Sequence, residues 1–356
     1  MRTPLAPRAA ATAAINALLP IAIATAISLV VGDLLILAVG QPPAAVYRLL
    51  LDGTWANPYG TAQVLYKATT LTFTALAVAV ALRAGLFNVG AESQLAAGGF
   101  AAGVAGMLLP ATLPALAAVP ICLAAAALGG ALVGAVPGAL SARYGTNEVI
   151  TTIMLNFIVL ASLNWIVAAH LHVPETLHTP PLTTGAIPRF SAVIPAFHGS
   201  AANATVVLAL AAALATGWFI FRTRPGYALR AVGLAPAAAE NAGISTARTR
   251  FTAFTLAGAL AGLGGTNFVL GYKHYYEDGF AGGAGFIGIA VALAGRGHPL
   301  GIVIAALAFA TLSQGGLAIN ALVPKQMTDI LQAVVILAVV AATPEVRRLL
   351  RRSPGE

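Results

Sequence analysis

Two polar segments stand out because each sets carboxylate, amide or hydroxyl side chains within otherwise apolar sequence. In Thr146-Asn-Glu-Val-Ile-Thr-Thr-Ile-Met-Leu-Asn156, Glu148, Thr152 and Asn156 follow one another at four-residue spacing, with Thr151 beside them. On a helix they share one stripe, while Val149, Ile150, Ile153 and Leu155 lie mainly elsewhere. Such a stripe suits a solvent-lined path. It equally suits hydrogen bonding between packed helices, with Glu148 favouring a helix N-terminus. The second segment is Arg83-Ala-Gly-Leu-Phe-Asn-Val-Gly-Ala-Glu-Ser-Gln94. Gly85 and Gly90 permit a sharp bend, and Asn88 and Glu92, four apart, could point together into a cavity. The alternative is an ordinary turn in which Asn88 caps the following helix.

These groups are informative because their surroundings are so apolar. Of 356 residues, 59% are hydrophobic and 8% charged, against about a quarter charged in ordinary globular chains. Runs long enough to cross a hydrocarbon core, which takes about 20 apolar residues per helix, recur along the whole length. At bilayer depth an ionisable group is costly unless it faces a cavity or a partner. The fold class is therefore all-α, a polytopic transmembrane bundle forming one domain over residues 1–356. Ten spans are expected near 12–38, 63–82, 91–110, 113–138, 148–170, 204–221, 251–271, 282–295, 299–317 and 326–343. The third and eighth are short or glycine-rich, hence candidates for broken or re-entrant helices. The run from Ala9 to Val39 exceeds the usual leader core of about 7 to 15 residues and reads as an uncleaved first span.

The formal charge of +8 follows topology rather than a nucleic acid polymer. With the N-terminus inside, Arg2, Arg8, Arg83, Arg143, Arg222, Arg224, Arg230, Arg248, Arg250, Arg296, Arg347, Arg348, Arg351 and Arg352 are cytoplasmic, 14 of the 19 basic residues, as the positive-inside rule requires. Both termini then lie inside. An external connection, 171–203, separates a first half of about 12–170 from a second of about 204–343, the arrangement an internal duplication would give. A cytoplasmic connection, 222–250, contains Pro236-Ala-Ala-Ala-Glu-Asn-Ala242, a short helix former followed by Gly243; a basic loop resting on lipid headgroups is the plainer reading.

Several chemistries find no support. Cys122 is the single cysteine, so the chain forms no internal disulfide and no cysteine metal site. His170, His172, His178 and His198 lack a carboxylate framework at ligand spacing. The glycines of 279–299 suit close helix packing, and no glycine precedes any of the three lysines as a phosphate loop requires. Neither a Gly-x-Ser-x-Gly elbow nor a His-Glu-x-x-His pair is present.

Gly85-Leu-Phe-Asn-Val-Gly-Ala-Glu-Ser-Gln94, Asn147-Glu-Val-Ile-Thr-Thr-Ile-Met-Leu-Asn156 and Gly226-Tyr-Ala-Leu-Arg-Ala-Val-Gly233 with Ala238-Ala-Glu-Asn-Ala-Gly-Ile244 resemble the permease subunits of bacterial ABC importers. The class is that of branched-chain amino acid and ribose permeases, and the nearest branch is the nucleoside permeases. The likeness runs from about Thr70 to Ala342, with Ser93 standing where the family motif has glycine. It implies a multi-pass protein of the bacterial inner membrane without catalytic residues. It also implies a second permease subunit, identical or not, cytoplasmic ATPases that hold ATP and magnesium, an external substrate-binding lipoprotein and the surrounding membrane lipid. Arg230, Gly233, Glu240, Asn241 and Gly243 would then meet the ATPase. Asn88, Glu92, Gln94, Glu148, Thr151, Thr152 and Asn156 would line the path of a nucleoside, with ribose or another simple sugar as the competing cargo. A self-sufficient transporter coupled to protons through Glu92 or Glu148 is the competing mechanism.

Overall fold

A computed structural model of the chain describes residues 26–324 together with 326, 329, 330, 333 and 334. Among the described residues there is no strand, only helices and two isolated bridges. The helices are α1 (Ala26–Ala38), α2 (Pro43–Asp52), α3 (Pro58–Arg83), α4 (Ala91–Leu108), α5 (Ala115–Tyr144), α6 (Glu148–Ile166), α7 (Thr205–Arg222), α8 (Arg224–Leu234), α9 (Pro236–Asn241), α10 (Thr246–Phe268), α11 (Ala284–Ala294) and α12 (Pro299–Ala318). The chain divides into two compact units, one of 1–56 with 312–356 and one of 57–311. These units do not coincide with the halves on either side of 171–203.

In the first unit, α1 and α2 meet at 107°. Gly40, with φ 78°, supplies a backbone conformation costly to other residues, and Pro42-Pro43 prevents the helix from continuing. Ile36 and Val46 from the two arms bury against Ile319 and Val323.

The second unit has a buried centre and a lipid-like periphery. In the most apolar stretch of α3, 78% is buried and in that of α10, 67%, against 22%, 17% and 28% in α5, α6 and α7. The outer helices expose Leu128, Leu132, Phe157, Trp165, Leu214 and Trp218, side chains that suit hydrocarbon rather than water. Helices α5 and α10 approach until their backbones touch. A methyl group added at Gly130 would strike the Gly258 carbonyl, one at Gly134 the Phe254 carbonyl, and one at Gly262 the Ala126 carbonyl. Glycines four apart place a flat strip on each helix, the small-residue packing that joins helices where lipid removes any hydrophobic drive.

The helix starts were largely local in origin. Asn57 accepts from Gly60 N–H at 2.6 Å ahead of Pro58. Asn147 accepts from the amides of Val149 and Ile150 at 2.9 and 3.3 Å to open α6. Ser245 accepts from Arg248 N–H at 3.3 Å to open α10. Such caps satisfy amides that have no partner within the helix.

Six described helices, α3, α5, α6 (with its π-helical turn to Leu171), α7, α10 (with its turn to Lys273) and α12, are long and apolar enough to cross a membrane, or seven crossings if α1 and α2 form one. The third expected span is helical as α4, but Glu92, Ser93 and Gln94 occupy its first turns. The eighth is α11, 11 residues long, so at 1.5 Å per residue it reaches only about half of a 30 Å core. The first expected span is described only from Ala26, and most of the tenth lies outside the described residues.

Candidate functional site

The two polar segments meet. Between α3 and α4 the chain leaves helical geometry at 85–89, with Gly85 at φ 72°. The α6 stripe supplies what that backbone lacks. Thr152 Oγ1 accepts from Val89 N–H at 3.3 Å and donates to its own helix at the Glu148 carbonyl at 2.7 Å. Asn156 donates to the Val89 carbonyl at 2.9 Å and accepts from Ser93 N–H at 3.1 Å. Inside the bend, Asn88 Nδ2 donates to Gln94 Oε1 at 2.9 Å, and Asn88 Oδ1 accepts from Gly90 N–H at 3.0 Å and from Gln94 Nε2 at 3.2 Å. Asn88, Gln94 and Thr152 are fully buried and Asn156 nearly so. The residue that starts α4 is Gly90, and Asn88 braces it from two residues before.

Glu92 joins this knot to the short helix α11. Its two carboxylate oxygens accept from Gly283 N–H at 2.8 Å and Gly285 N–H at 2.6 Å. These are amides of the α11 N-terminus, where unpaired N–H groups and the helix dipole favour an anion. Gly283, at φ 85°, makes the turn into α11. A methyl group on Gly285 would occupy the place of the Glu92 backbone, and one on Gly288 would strike Thr74. Thr74 Oγ1 in turn donates to the Ala284 carbonyl at 3.1 Å. Of the glycines of 279–299, Gly285 and Gly288 thus serve close packing of α11 on α4 and α3.

Glu148 and Thr151 stand apart from the knot. Both are partly exposed, and Thr151 Oγ1 donates only to the Asn147 carbonyl, at 2.6 Å. The structure therefore brings Asn88, Glu92, Gln94, Thr152 and Asn156 together and leaves these two outside.

The model of the branched-chain amino acid transport system permease component matches residues 60–340. The chain belongs to this permease family. It is 35% identical over 328 residues to a guanosine ABC transporter permease protein of Bacillus subtilis, covering 90% of this chain and 92% of that one. A nucleoside ABC transporter permease protein of Lactococcus lactis subsp. cremoris is 33% identical over 88% of each chain. A glucose ABC transporter permease protein of Haloferax volcanii is 32% identical, covering 88% of this chain and 85% of that one. No solved structure matches the chain. The permease is an integral membrane protein, as its apolar helices require.

In the permease, the connection 222–250 holds two short helices, α8 and α9, rather than one, before α10 begins at Thr246. Thr223 accepts from Gly226 N–H at 3.1 Å, starting α8 just ahead of Pro225. Helix α8 lies against the bundle: a methyl group at Gly233 would strike the Arg83 carbonyl, and the Arg230 guanidinium sits over Phe221 and Tyr227, 5.8 and 6.0 Å from the ring centroids. Helix α9 presents Glu240 and Asn241, and Gly243 follows at φ 81°, all three exposed. The five residues expected at an ATPase contact thus divide, with Arg230 and Gly233 turned toward the bundle and Glu240, Asn241 and Gly243 outward.

Sequence reasoning missed a second buried network. Asn203 Nδ2 donates to Asn267 Oδ1 at 3.0 Å, Thr205 Oγ1 donates to the same oxygen at 2.7 Å, and Asn267 Nδ2 donates to Thr70 Oγ1 at 2.8 Å and the Tyr66 carbonyl at 2.9 Å. It ties α3, α7 and α10 at the end where α10 loosens into the π-helical turn Val269–Lys273. Beyond that turn, the connection 171–203 runs along the break. Amides of Thr179, Leu182 and Ile187 donate to carbonyls of Tyr276, His274 and Leu270, each at 2.8 Å. The signal available was Asn267, an amide in an apolar run and expensive there for the same reason as Asn156.

Proposed function

We propose that the chain is the transmembrane subunit of an ATP-driven importer whose cargo is a nucleoside. Ten spans, both termini in the cytoplasm and alternating access complete this reading. ATP and magnesium are held by partner ATPases, cargo is delivered by an external binding protein, and a second permease subunit, a copy or a homologue, completes the path. The observation that carries it is the 35% identity to a guanosine ABC transporter permease along nine-tenths of the chain. The exposed tip of α9 is the element that would dock in an ATPase.

Within this reading Glu148 and Thr151 are the polar residues free to meet cargo. Asn88, Glu92, Gln94, Thr152 and Asn156 act from behind by fixing the wall, since their polar atoms are already engaged. Contacts that fix a wall without gripping the cargo suit a conduit, in which tight binding would slow release.

A sugar is the second reading, favoured by the 32% identity to a glucose ABC transporter permease. Competition decides between them. In vesicles carrying the whole importer, unlabelled guanosine should suppress uptake of labelled guanosine and glucose should not; labelled glucose uptake indifferent to guanosine would replace the first cargo with the second.

A further inference from the structure

The guanidinium groups of Arg83 and Arg230 gather where α3 and α7 end, and the turn that carries Arg296 joins them. Arg83 closes α3, Arg230 lies on α8, and Arg296 stands in the turn between α11 and α12 at a left-handed φ of 54°. Arg83 and Arg230 both lie over Phe221, 5.6 and 5.8 Å from the ring centroid, and His298 stacks on the same ring at 5.7 Å. Arg83 also donates to the Gly297 carbonyl at 3.0 Å, which draws the Arg296 turn into the group. Among the described residues no carboxylate comes within ion-pair distance of any of the three. Arg230 Nε and Arg296 Nη2 are nevertheless buried and lack an acceptor. Ring faces offset part of the charge, but buried donors without acceptors, held beside like charges, are costly. An anion with several oxygens would satisfy them together.

A groove of about 420 Å³ begins within one helical turn of these groups. Its walls are α7 and α10, through Ala215, Phe219, Leu256, Ala259 and Leu260, and Val80 of α3 forms its floor. Val80 lies three residues before Arg83, and Phe219 two before Phe221. The lining is almost wholly apolar. Free phosphate would use the arginines and leave the groove idle, and an acidic side chain of a partner would do the same. A molecule with an anionic head and a hydrocarbon tail uses both.

We propose that this corner is a specific site for an anionic phospholipid, with its phosphate on Arg83, Arg230 and Arg296 and one acyl chain in the groove between α7 and α10. Basic pockets between membrane helices bind such headgroups by the same chemistry. The site is independent of the identity of the cargo. Bound there, the lipid would tie α8, and through it the α9 tip, to the ends of α3 and α7.

The test is thermal unfolding of the purified full-length permease in neutral detergent. It is titrated with phosphatidylglycerol, with phosphatidylcholine of the same chains, and with inorganic phosphate. Phosphatidylglycerol should raise the midpoint at concentrations where the other two do not. Arg296→Gln should weaken that response about fivefold, the share of one surface arginine. Arg143→Gln, in the last turn of α5 and over the Tyr144 ring, should leave it unchanged. Ala215→Trp, which fills the groove and spares the arginines, should weaken it as well. It also decides the matter if Arg296→Gln does not fold. Equal protection by phosphatidylcholine would overturn the headgroup assignment. Equal protection by phosphate, or an unaltered response in Ala215→Trp, would overturn the lipid in favour of a free anion. Loss of ATPase recovery in Arg296→Gln with its lipid response intact would assign the arginines to a partner carboxylate instead.

Discussion

The seam between α5 and α10 and the knot around Asn88 hold adjoining parts of the same bundle by opposite means. At the seam, side chains are absent: Gly130, Gly134, Gly258 and Gly262 let backbone rest on backbone, with dispersion over a flat strip as the attraction. At the knot, side chains are present and all their polar atoms are spoken for, because 85–89 is backbone without a helix to satisfy it. The seam tolerates no added atom. The knot tolerates no missing acceptor. Buried backbone outside a helix needs such partners, so the knot, and not the seam, marks where the bundle departs from plain helices.

Substitutions can break this contrast, beginning with the largest expected effect. Gly258→Leu drives a side chain into the Gly130 backbone. With backbone on both sides the cost should be about 3 kcal/mol, the upper end for overpacking, and detergent extracts should contain little monodisperse protein. Glu92→Ala leaves the Gly283 and Gly285 amides unpaired, a loss of about 1.5 to 3 kcal/mol per charged hydrogen bond. Uptake should disappear, the unfolding midpoint should fall, and Glu92→Gln, which keeps one acceptor, should recover part of both. Asn156→Ala strips the Val89 carbonyl and the Ser93 amide of their partner at a cost of about 1 to 3 kcal/mol, whereas Thr151→Val on the same helix should stay within about 0.5 kcal/mol. Equal midpoints for that pair would remove the distinction between knot and exposed stripe.

The smallest effect concerns the loop over the α10–α11 break. Burial and the nearby Arg189 guanidinium hold the His274 imidazole below its ordinary value. A histidine whose folded pKa is depressed gives its full stabilisation above the unfolded value, about 6.5, and loses it as pH falls from there to the folded value. The protection factors of the amides at 179–187, which compare observed exchange with the intrinsic rate at each pH, should therefore fall below about pH 6.5, and His274→Asn should remove that dependence.

Much of the architecture was legible because it is written locally. The proline at 236 and Gly243 mark helix ends by chain geometry alone, and α9 forms at Pro236–Asn241 from such signals. The polar residues of the knot were legible as exceptions within apolar runs. Their purpose was not, because Thr152 meets Val89 across 63 residues and Glu92 meets Gly283 across 191. No spacing rule distinguishes a carboxylate that faces cargo from one that holds a helix N-terminus. Asn267 was hidden for the related reason that its partners, Asn203 and Thr70, come from two other helices or their ends. Apolar length likewise does not separate a crossing from α11, whose 11 residues begin at a turn only glycine makes readily.

The central claim is that this permease moves cargo only when a partner motor drives it. Guanosine accumulation in proteoliposomes measures that directly, comparing the permease alone under a proton gradient with the permease assembled with its ATPase and binding protein and supplied with ATP. The account predicts accumulation only in the second case, with a sharp fall when Glu240 and Asn241 at the α9 tip are both replaced by alanine. Accumulation by the permease alone under a proton gradient would contradict it.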